Sequence, residues 1–347
     1  MHYRQGVPLA PLTTLRVGGA AARMTTLDRE GDLEEVLRDA EARGEPVFVL
    51  GGGSNVVVAD EGFPGVVVCM ALRGIDRRDE GDRAIVDVAA GEDWDELVAR
   101  AVEAGWGEIA CMSGIPGLVG STPIQNVGAY GQEVKATIAS VRVYDREQRA
   151  FEEILAARCG FGYRASVFKR SDRHVVTRVR FAFPRSRVER VRYAELARAL
   201  GVGEGGEAPA ARVRETVLAL RRGKGMVLDP GDAESVSAGS FFVNPVVDDA
   251  LVGRVEAAVG QRPPGFPAEG GKTKLAAAWL VEKAGFARGW TMGRAGVSRK
   301  HALALVNRGG ATAVEILAAA RAIRDGVRDR LGVTLEPEPV LVGCAWT

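Results

Sequence analysis

The run Ser237-Ala-Gly-Ser-Phe-Phe-Val-Asn-Pro245 carries the residue types best suited to chemistry in this chain. Ser240 stands between a glycine and two aromatics, with the amide of Asn244 close behind. A nucleophilic serine needs a base beside it, usually a histidine oriented by a carboxylate. The three histidines, His2, His174 and His301, lie in no triad-like motif. A hydroxyl in this setting suits proton donation better than attack on a carbonyl. Taken alone, the same run also reads as a Gly-Ser turn leading into an aromatic strand.

Three further runs bear on chemistry. Val47-Phe-Val-Leu-Gly-Gly-Gly-Ser-Asn55 is a strand entering a glycine turn, where missing Cβ atoms let backbone N–H groups approach a diphosphate. The following Val56–Val58 is strand-like, so this is not a strand-to-helix dinucleotide turn, and a plain hairpin loop competes with the diphosphate reading. The segment from Ser113 to Gly131 interleaves glycines, two prolines and small polar residues, which favours a rigid loop wrapping a ligand, or else a structural Ω-loop. Phe161-Gly-Tyr-Arg-Ala-Ser-Val-Phe-Lys169 sets Arg164 among aromatics, where a guanidinium can grip a carboxylate through two bonds or form an ordinary surface ion pair. Gly270-Gly-Lys-Thr273 is not a triphosphate-binding loop. Phe266 stands where its first glycine belongs, and Pro263, Pro264 and Pro267 crowd the preceding strand position.

The elements that position these runs follow from apolar patterning. Val47–Leu50, Val56–Val58, Val66–Met70 and Ile85–Ala89 read as buried strands. Asp93 with Glu96 opens a helix whose stripe is Trp94, Leu97, Val98, Ala101 and Val102, and Gly105 closes it. Strands resume at Ile138–Tyr144 and Val175–Phe183. Pro184 to Pro209 reads as a flexible boundary. Helices are expected at Val213–Leu220, Asp248–Val259 and Lys274–Ala284. Thr312 with Glu315 starts a last helix that ends at Gly332, and a strand from Val333 to Val342 follows.

The 347 residues carry 46 basic against 45 acidic groups, so no global field draws in nucleic acid or an anionic membrane. Cys69, Cys111, Cys159 and Cys344 have no metal-ligand or redox-motif spacing, and reduced thiols are expected. Without an apolar leader or a membrane-length apolar run, the expectation is a cytoplasmic protein with no membrane insertion.

Together the motifs resemble the UDP-N-acetylenolpyruvoylglucosamine reductase family, in family order from Thr14-Leu-Arg-Val-Gly-Gly19 to Leu335-Glu-Pro-Glu338. The resemblance implies an α+β fold: a vanillyl-alcohol-oxidase-type FAD-binding domain in two subdomains, 1–72 and 73–210. A smaller α+β substrate-binding domain, 211–332, and a C-terminal strand, 333–347, complete it. It assigns non-covalent FAD to Gly51, Gly52, Gly53, Ser54 and Asn55, and to Ser113, Gly114, Ile115, Pro116, Gly117, Gly120, Gln125, Asn126, Gly128 and Ala129. Cys111, just before the second loop, is the residue to watch as a covalent anchor. Ser240 becomes the proton donor, with Arg164 and Glu338 its catalytic partners. Tyr163, Tyr193, Lys224 and Asn244 become substrate contacts, Tyr193 through the subgroup's longer loop.

The implied reaction uses NADPH to reduce FAD, then adds hydride to C3 and a proton to C2 of UDP-N-acetylglucosamine enolpyruvate. The product is UDP-N-acetylmuramate, for peptidoglycan, and a monomer is expected. The chain departs from the family pattern at Val243, Leu118 and Ser121, which touches affinity and no catalytic group. Two alternatives stay open: another FAD-dependent oxidoreductase of this fold, and a non-catalytic UDP-sugar-binding homologue.

Overall fold

In the computed structural model, which describes residues 2–346, contacts group the chain into two units. The first comprises Met1–Val7, Ala21–Gly52 and Pro64–Gly223; the second comprises Pro8–Ala20, Gly53–Phe63 and Lys224–Thr347.

The first unit holds helices α1 (Leu33–Ala42), α2 (Trp94–Ala104), α3 (Ala194–Leu200) and α4 (Ala210–Gly223). One sheet orders its strands Arg4–Pro8, Ala20–Leu27, Phe63–Met70 and Val47–Leu50, the last two parallel with Leu50 opposite Cys69. The other is antiparallel, in the order Ala150–Leu155, Ile138–Asp145, His174–Pro184, Arg83–Ala89, Ile75–Glu80. Alternation along His174–Pro184 turns Phe181 and Phe183 into a core shared with Trp94 and Leu97 of α2. The α2 ends are local: the Asp93 carboxylate accepts from Glu96 N–H, and Gly105 takes the left-handed conformation at φ 72°.

The Pro184–Pro209 segment is not a linker. Val188–Arg190 pairs with Glu207–Pro209, and Leu196, Ala197 and Leu200 of α3 are buried in the first unit's core. Its glycines are confined to the connection between α3 and the returning strand, so the flexible composition marks a short loop and not a boundary.

The second unit carries helices α5 (Asp249–Val259), α6 (Ala277–Lys283) and α7 (Ala313–Leu331). Its larger sheet orders Ser237–Ser240, Ala304–Asn307, Ala295–Val297 and Thr291–Met292. The α7 start has both bonds of its capping box, Glu315 N–H to Thr312 Oγ1 at 3.2 Å and Thr312 N–H to Glu315 Oε2 at 2.9 Å. Two sequence expectations are corrected here. The helix expected from Lys274 starts at Ala277, because Thr273–Leu275 pairs with both Val246–Val247 and Gly265–Pro267 as a central strand. The strand expected over Val333–Val342 is confined to Val340–Val342, which pairs in parallel with Val56–Val58; Val333 and Leu335 bury in the core without a ladder.

Candidate active site

In the second unit, Ser240 ends the strand Ser237–Ser240, opposite Ala304, with a bulge between Ser237 and Ser240. Gly239 sits in that bulge at φ 71°, a conformation a side chain enters at a cost, so glycine there re-aims the following serine. Phe241 and Phe242 are fully or nearly fully buried and anchor the turn from below, each contributing about 1.5–3 kcal/mol of burial. Glu338 N–H donates to the Phe241 carbonyl at 2.8 Å, and Val243 N–H donates to the Glu336 carbonyl at 3.1 Å. The C-terminal Glu336–Glu338 segment thus lies along Phe241–Val243, and Ser240 and Glu338, both partly buried, sit on adjacent extended segments.

Asn55 belongs to the same assembly. Its carbonyl accepts from Val340 N–H at 2.9 Å, and its Nδ2 donates to the Glu338 carbonyl at 3.4 Å. Gly53 is required by packing, since a Cβ there would lie 2.0 Å from the Leu12 carbonyl oxygen. The Ser54 carbonyl accepts from Thr14 Oγ1 at 3.4 Å. Asn244 Oδ1 accepts from Ala277 N–H at 2.9 Å, capping α6. Lys224 is the partly buried first residue of the unit's long segment.

In the first unit, the two glycine runs meet. A Cβ on Gly52 would lie 2.7 Å from Gly117 Cα, and one on Gly51 would lie 2.7 Å from Ser121 Oγ. Gly120 is equally tight, 2.5 Å from the Ala90 Cβ. At Gly52 and Gly117 the turns meet backbone to backbone, while Gly51 lies against the Ser121 hydroxyl, so the pair of glycines leaves a backbone surface that a diphosphate can approach. Ser113 is fully buried and its Oγ donates to the Ala110 carbonyl at 2.7 Å. Gly114 N–H donates to Asp95 Oδ1 at 2.6 Å, while Ile115 and Pro116 are partly buried in the turn that follows.

Asn126 is buried at φ 47°, with its Nδ2 donating to Glu133 and to the Gly162 carbonyl, both at 2.9 Å. Its side chain thus ties the Ser113–Gly131 loop to the Arg164 turn. Arg164 itself has φ 51°, a strained conformation for a long side chain, and its Nη2 donates to the Gly128 carbonyl at 2.9 Å. Its guanidinium carbon lies 5.6 Å from the Tyr163 ring centre. Lys169 Nζ holds both the Arg164 carbonyl, at 3.0 Å, and Gln125 Oε1, at 3.5 Å. Gly128 and Ala129 form a short strand with Gln132–Glu133. Tyr193, which precedes α3, meets Tyr130 edge to face at 5.5 Å. Burial pushes both phenols up, Tyr130 to about 12, so both remain hydrogen-bond donors at neutral pH.

Cys111 is fully buried, and burial followed by the nearby Glu189 charge pushes its thiol up to about 12. The thiolate is the nucleophile, so this cysteine is inert toward a cofactor. Asp95 and Arg214, which sequence reasoning missed, hold the loop start: Arg214 grips Asp95 at 2.5 and 2.9 Å while Asp95 accepts from Gly114. Asp95 lies in the first turn of α2, where an acid needs no further explanation, and nothing local to Arg214 signals its partner.

Residues 230–342 match the family described as the UDP-N-acetylenolpyruvoylglucosamine reductase C-terminal domain, and residues 21–150 match an FAD binding domain. The chain is 48% identical to a UDP-N-acetylenolpyruvoylglucosamine reductase of Thermobifida fusca, covering 98% of each chain. It is 51% identical to one of Saccharopolyspora erythraea, covering 98% of this chain and 96% of that one. Among solved structures, the UDP-N-acetylenolpyruvylglucosamine reductase of Thermus caldophilus superposes with a TM-score of 0.67 at 27% identity, over 98% of this chain and 100% of that one. The α+β architecture joins an FAD-binding domain to this reductase C-terminal domain, and the chain belongs to the UDP-N-acetylenolpyruvoylglucosamine reductase family.

Proposed function

We propose that this chain catalyses NADPH-dependent, FAD-mediated reduction of UDP-N-acetylglucosamine enolpyruvate to UDP-N-acetylmuramate, a step in making peptidoglycan precursor. The observation that carries this reading is the lateral pairing of Phe241–Val243 with Glu336–Glu338, which sets the Ser240 hydroxyl and Glu338 on neighbouring segments. The net change adds one hydride and one proton across the enolpyruvyl double bond and leaves NADP+. FAD, when bound non-covalently at the glycine turns, supplies the hydride chemistry between NADPH and C3.

Ser240 donates the proton that C2 takes up. An alcohol is a weak acid, but carbanion character at C2 makes that carbon a strong base, so the transfer is downhill once C3 has gained its hydrogen. Arg164 stabilises the negative charge that spreads into the adjacent carboxylate, and its turn, fixed by Gly128 and Lys169, holds that positive charge in place beforehand. Glu338 is the third catalytic group. Tyr163, Tyr193, Lys224 and Asn244 hold the UDP-sugar, with Lys224 and Asn244 toward the diphosphate. We further propose a monomer as the working unit and, because the reaction draws on NADPH, a cytoplasmic location.

The test is spectroscopic. Purified protein should absorb as a flavoprotein, lose its visible band with NADPH and regain it on adding the enolpyruvyl UDP-sugar, with UDP-N-acetylmuramate formed. Bleaching that the UDP-sugar does not reverse would point instead to another FAD-dependent oxidoreductase. A colourless protein that binds UDP-sugar would make this a non-catalytic homologue.

A further inference from the structure

Glu189 is buried, with 1% of its surface exposed, and among the described residues no arginine or lysine forms an ion pair with it. Its charge is met by convergent donors. Oε1 accepts from the N–H groups of Ile109 and Ala110, both at 3.1 Å, and Oε2 accepts from Glu108 N–H at 3.2 Å. Glu108 takes φ 61°, which turns three successive N–H groups toward one point. The fourth donor is Gln132 Nε2, at 2.6 Å from Oε2, and the same amide's Oε1 accepts from Cys111 N–H at 2.9 Å.

The placement of these bonds matters. Residues 108–111 run into the Ser113–Gly131 loop and Gln132 leaves it, so one amide and one carboxylate tie the loop's two ends together in the first unit. Glu189 also lies four residues before Tyr193, whose ring packs on Tyr130 of the same loop. The segment from Val188 to Tyr193 thus touches the loop at its neck twice, through Glu189 and through Tyr193 on the Tyr130 ring two residues before Gln132.

We propose that Glu189, acting through Gln132 and the N–H groups of residues 108–110, is the positioning residue that closes the neck of the flavin-binding loop and so sets its affinity for FAD. The inference rests on the reading of Ser113–Gly131 as a flavin loop. Closing the neck removes freedom that bound cofactor would otherwise have to remove, so it raises affinity without touching the cofactor.

The hydrogen-bond logic fixes the variants. In Glu189→Gln one acceptor oxygen becomes an NH2 that faces donors, and flipping the Gln132 amide only moves the conflict to Cys111 N–H. In Gln132→Glu two carboxylates face each other at the neck. Combining Glu189→Gln with Gln132→Glu restores every bond except that from Glu108 N–H.

FAD affinity of apoprotein, measured by fluorescence quenching, should fall about 10- to 100-fold in each single variant, the range for one or two bonds to a charged group. The exchanged pair should recover most of that loss. Affinity of Gln132→Glu should improve as pH falls, when one carboxyl gains a proton and can donate to the other. Amide exchange in residues 113–131 should speed up in the single variants and slow again in the exchanged pair. FAD affinity unchanged in Gln132→Glu, or no recovery in the exchanged pair, would overturn the proposal even if Glu189→Gln proves unable to fold. Gly117→Val separates this failure from that of the underlying reading: if it leaves FAD affinity intact, the loop does not hold flavin at all.

Discussion

The Phe241 carbonyl accepts a hydrogen bond from Glu338 N–H at 2.8 Å, so backbone bonds register the segment bearing Ser240 against the segment bearing Glu338. Side-chain substitution at either residue leaves that register in place. This separates chemistry from folding at the site and makes the catalytic assignments open to simple variants.

Ser240→Ala should keep its fold and its FAD, because it removes one hydroxyl beside a glycine while Phe241 and Phe242 stay buried. Bleaching by NADPH should proceed at a near-normal rate. Reoxidation by the enolpyruvyl substrate should slow by about 10²–10⁴-fold, the usual contribution of a positioned general acid. Ser240→Cys should retain more activity, since a thiol still donates. Stopped-flow absorbance separates the two half-reactions, and normal reoxidation in the alanine variant would remove Ser240 from the mechanism.

Lys224→Ala should raise the Kd for the UDP-sugar about tenfold, the loss of one charge-assisted contact to a diphosphate. Tyr193→Phe keeps the ring on Tyr130 and loses only the hydroxyl, so its effect on Kd should be smaller. Neither should change flavin reduction by NADPH by much. Calorimetry on oxidised protein checks this, and an unchanged Kd in Lys224→Ala would displace the diphosphate from this lysine.

Gly52→Val sets a side chain against the Gly117 backbone, where even a Cβ lies 2.7 Å from Gly117 Cα. The neighbour is main chain and cannot rotate away, so the two turns must part. FAD affinity should drop by about 10- to 100-fold, roughly the cost of one overpacked contact. Protein that purifies with full flavin content would show that the glycine contact does not shape the cofactor site.

Asp95 supplies a pH dependence. Burial pushes its carboxyl up, but the bonds from Arg214 and from Gly114 N–H outweigh burial and hold it below its ordinary value. A carboxylate depressed in the folded state adds stability that is fully present above its unfolded pKa of about 3.9 and is lost as pH falls through the lower folded value. Asp95→Asn should therefore be less stable than the parent at neutral pH, by about 1 kcal/mol, because 33% of this carboxylate still meets water. The difference should shrink below about pH 4, with the Gly114 end of the loop loosening in the same window. Equal stability of the two proteins at pH 7 in urea titrations would refute the assignment.

Much of the chain was legible because its cues are local. Asp93 with Glu96, Thr312 with Glu315, and the glycines after α2 and α7 are bonds or conformations set within one turn of helix. Val47–Leu50 was readable as a strand from its unbroken apolar run, but only Leu50 is buried; Val47, Phe48 and Val49 are half-buried on the edge strand of their sheet. The Ser240 and Arg164 runs drew attention by residue type, each with a structural reading beside the chemical one, and their catalytic roles came from the family resemblance.

What the sequence by itself determined is therefore the helix ends and the candidate groups, the ends because capping, periodicity and glycine conformations act over a few residues. Tertiary structure alone decided which segments became neighbours. Ala277 begins α6 because Asn244 caps it from another part of the chain, and Thr273–Leu275 is a strand only because Val246–Val247 and Gly265–Pro267 flank it. Glu189 stands among Arg185, Arg187, Arg190 and Arg192 in the sequence, and nothing local marks the four donors that the fold brings to it. A hydrogen bond between distant residues leaves no periodic mark on either one, so its partners become visible only when the chain has closed around them.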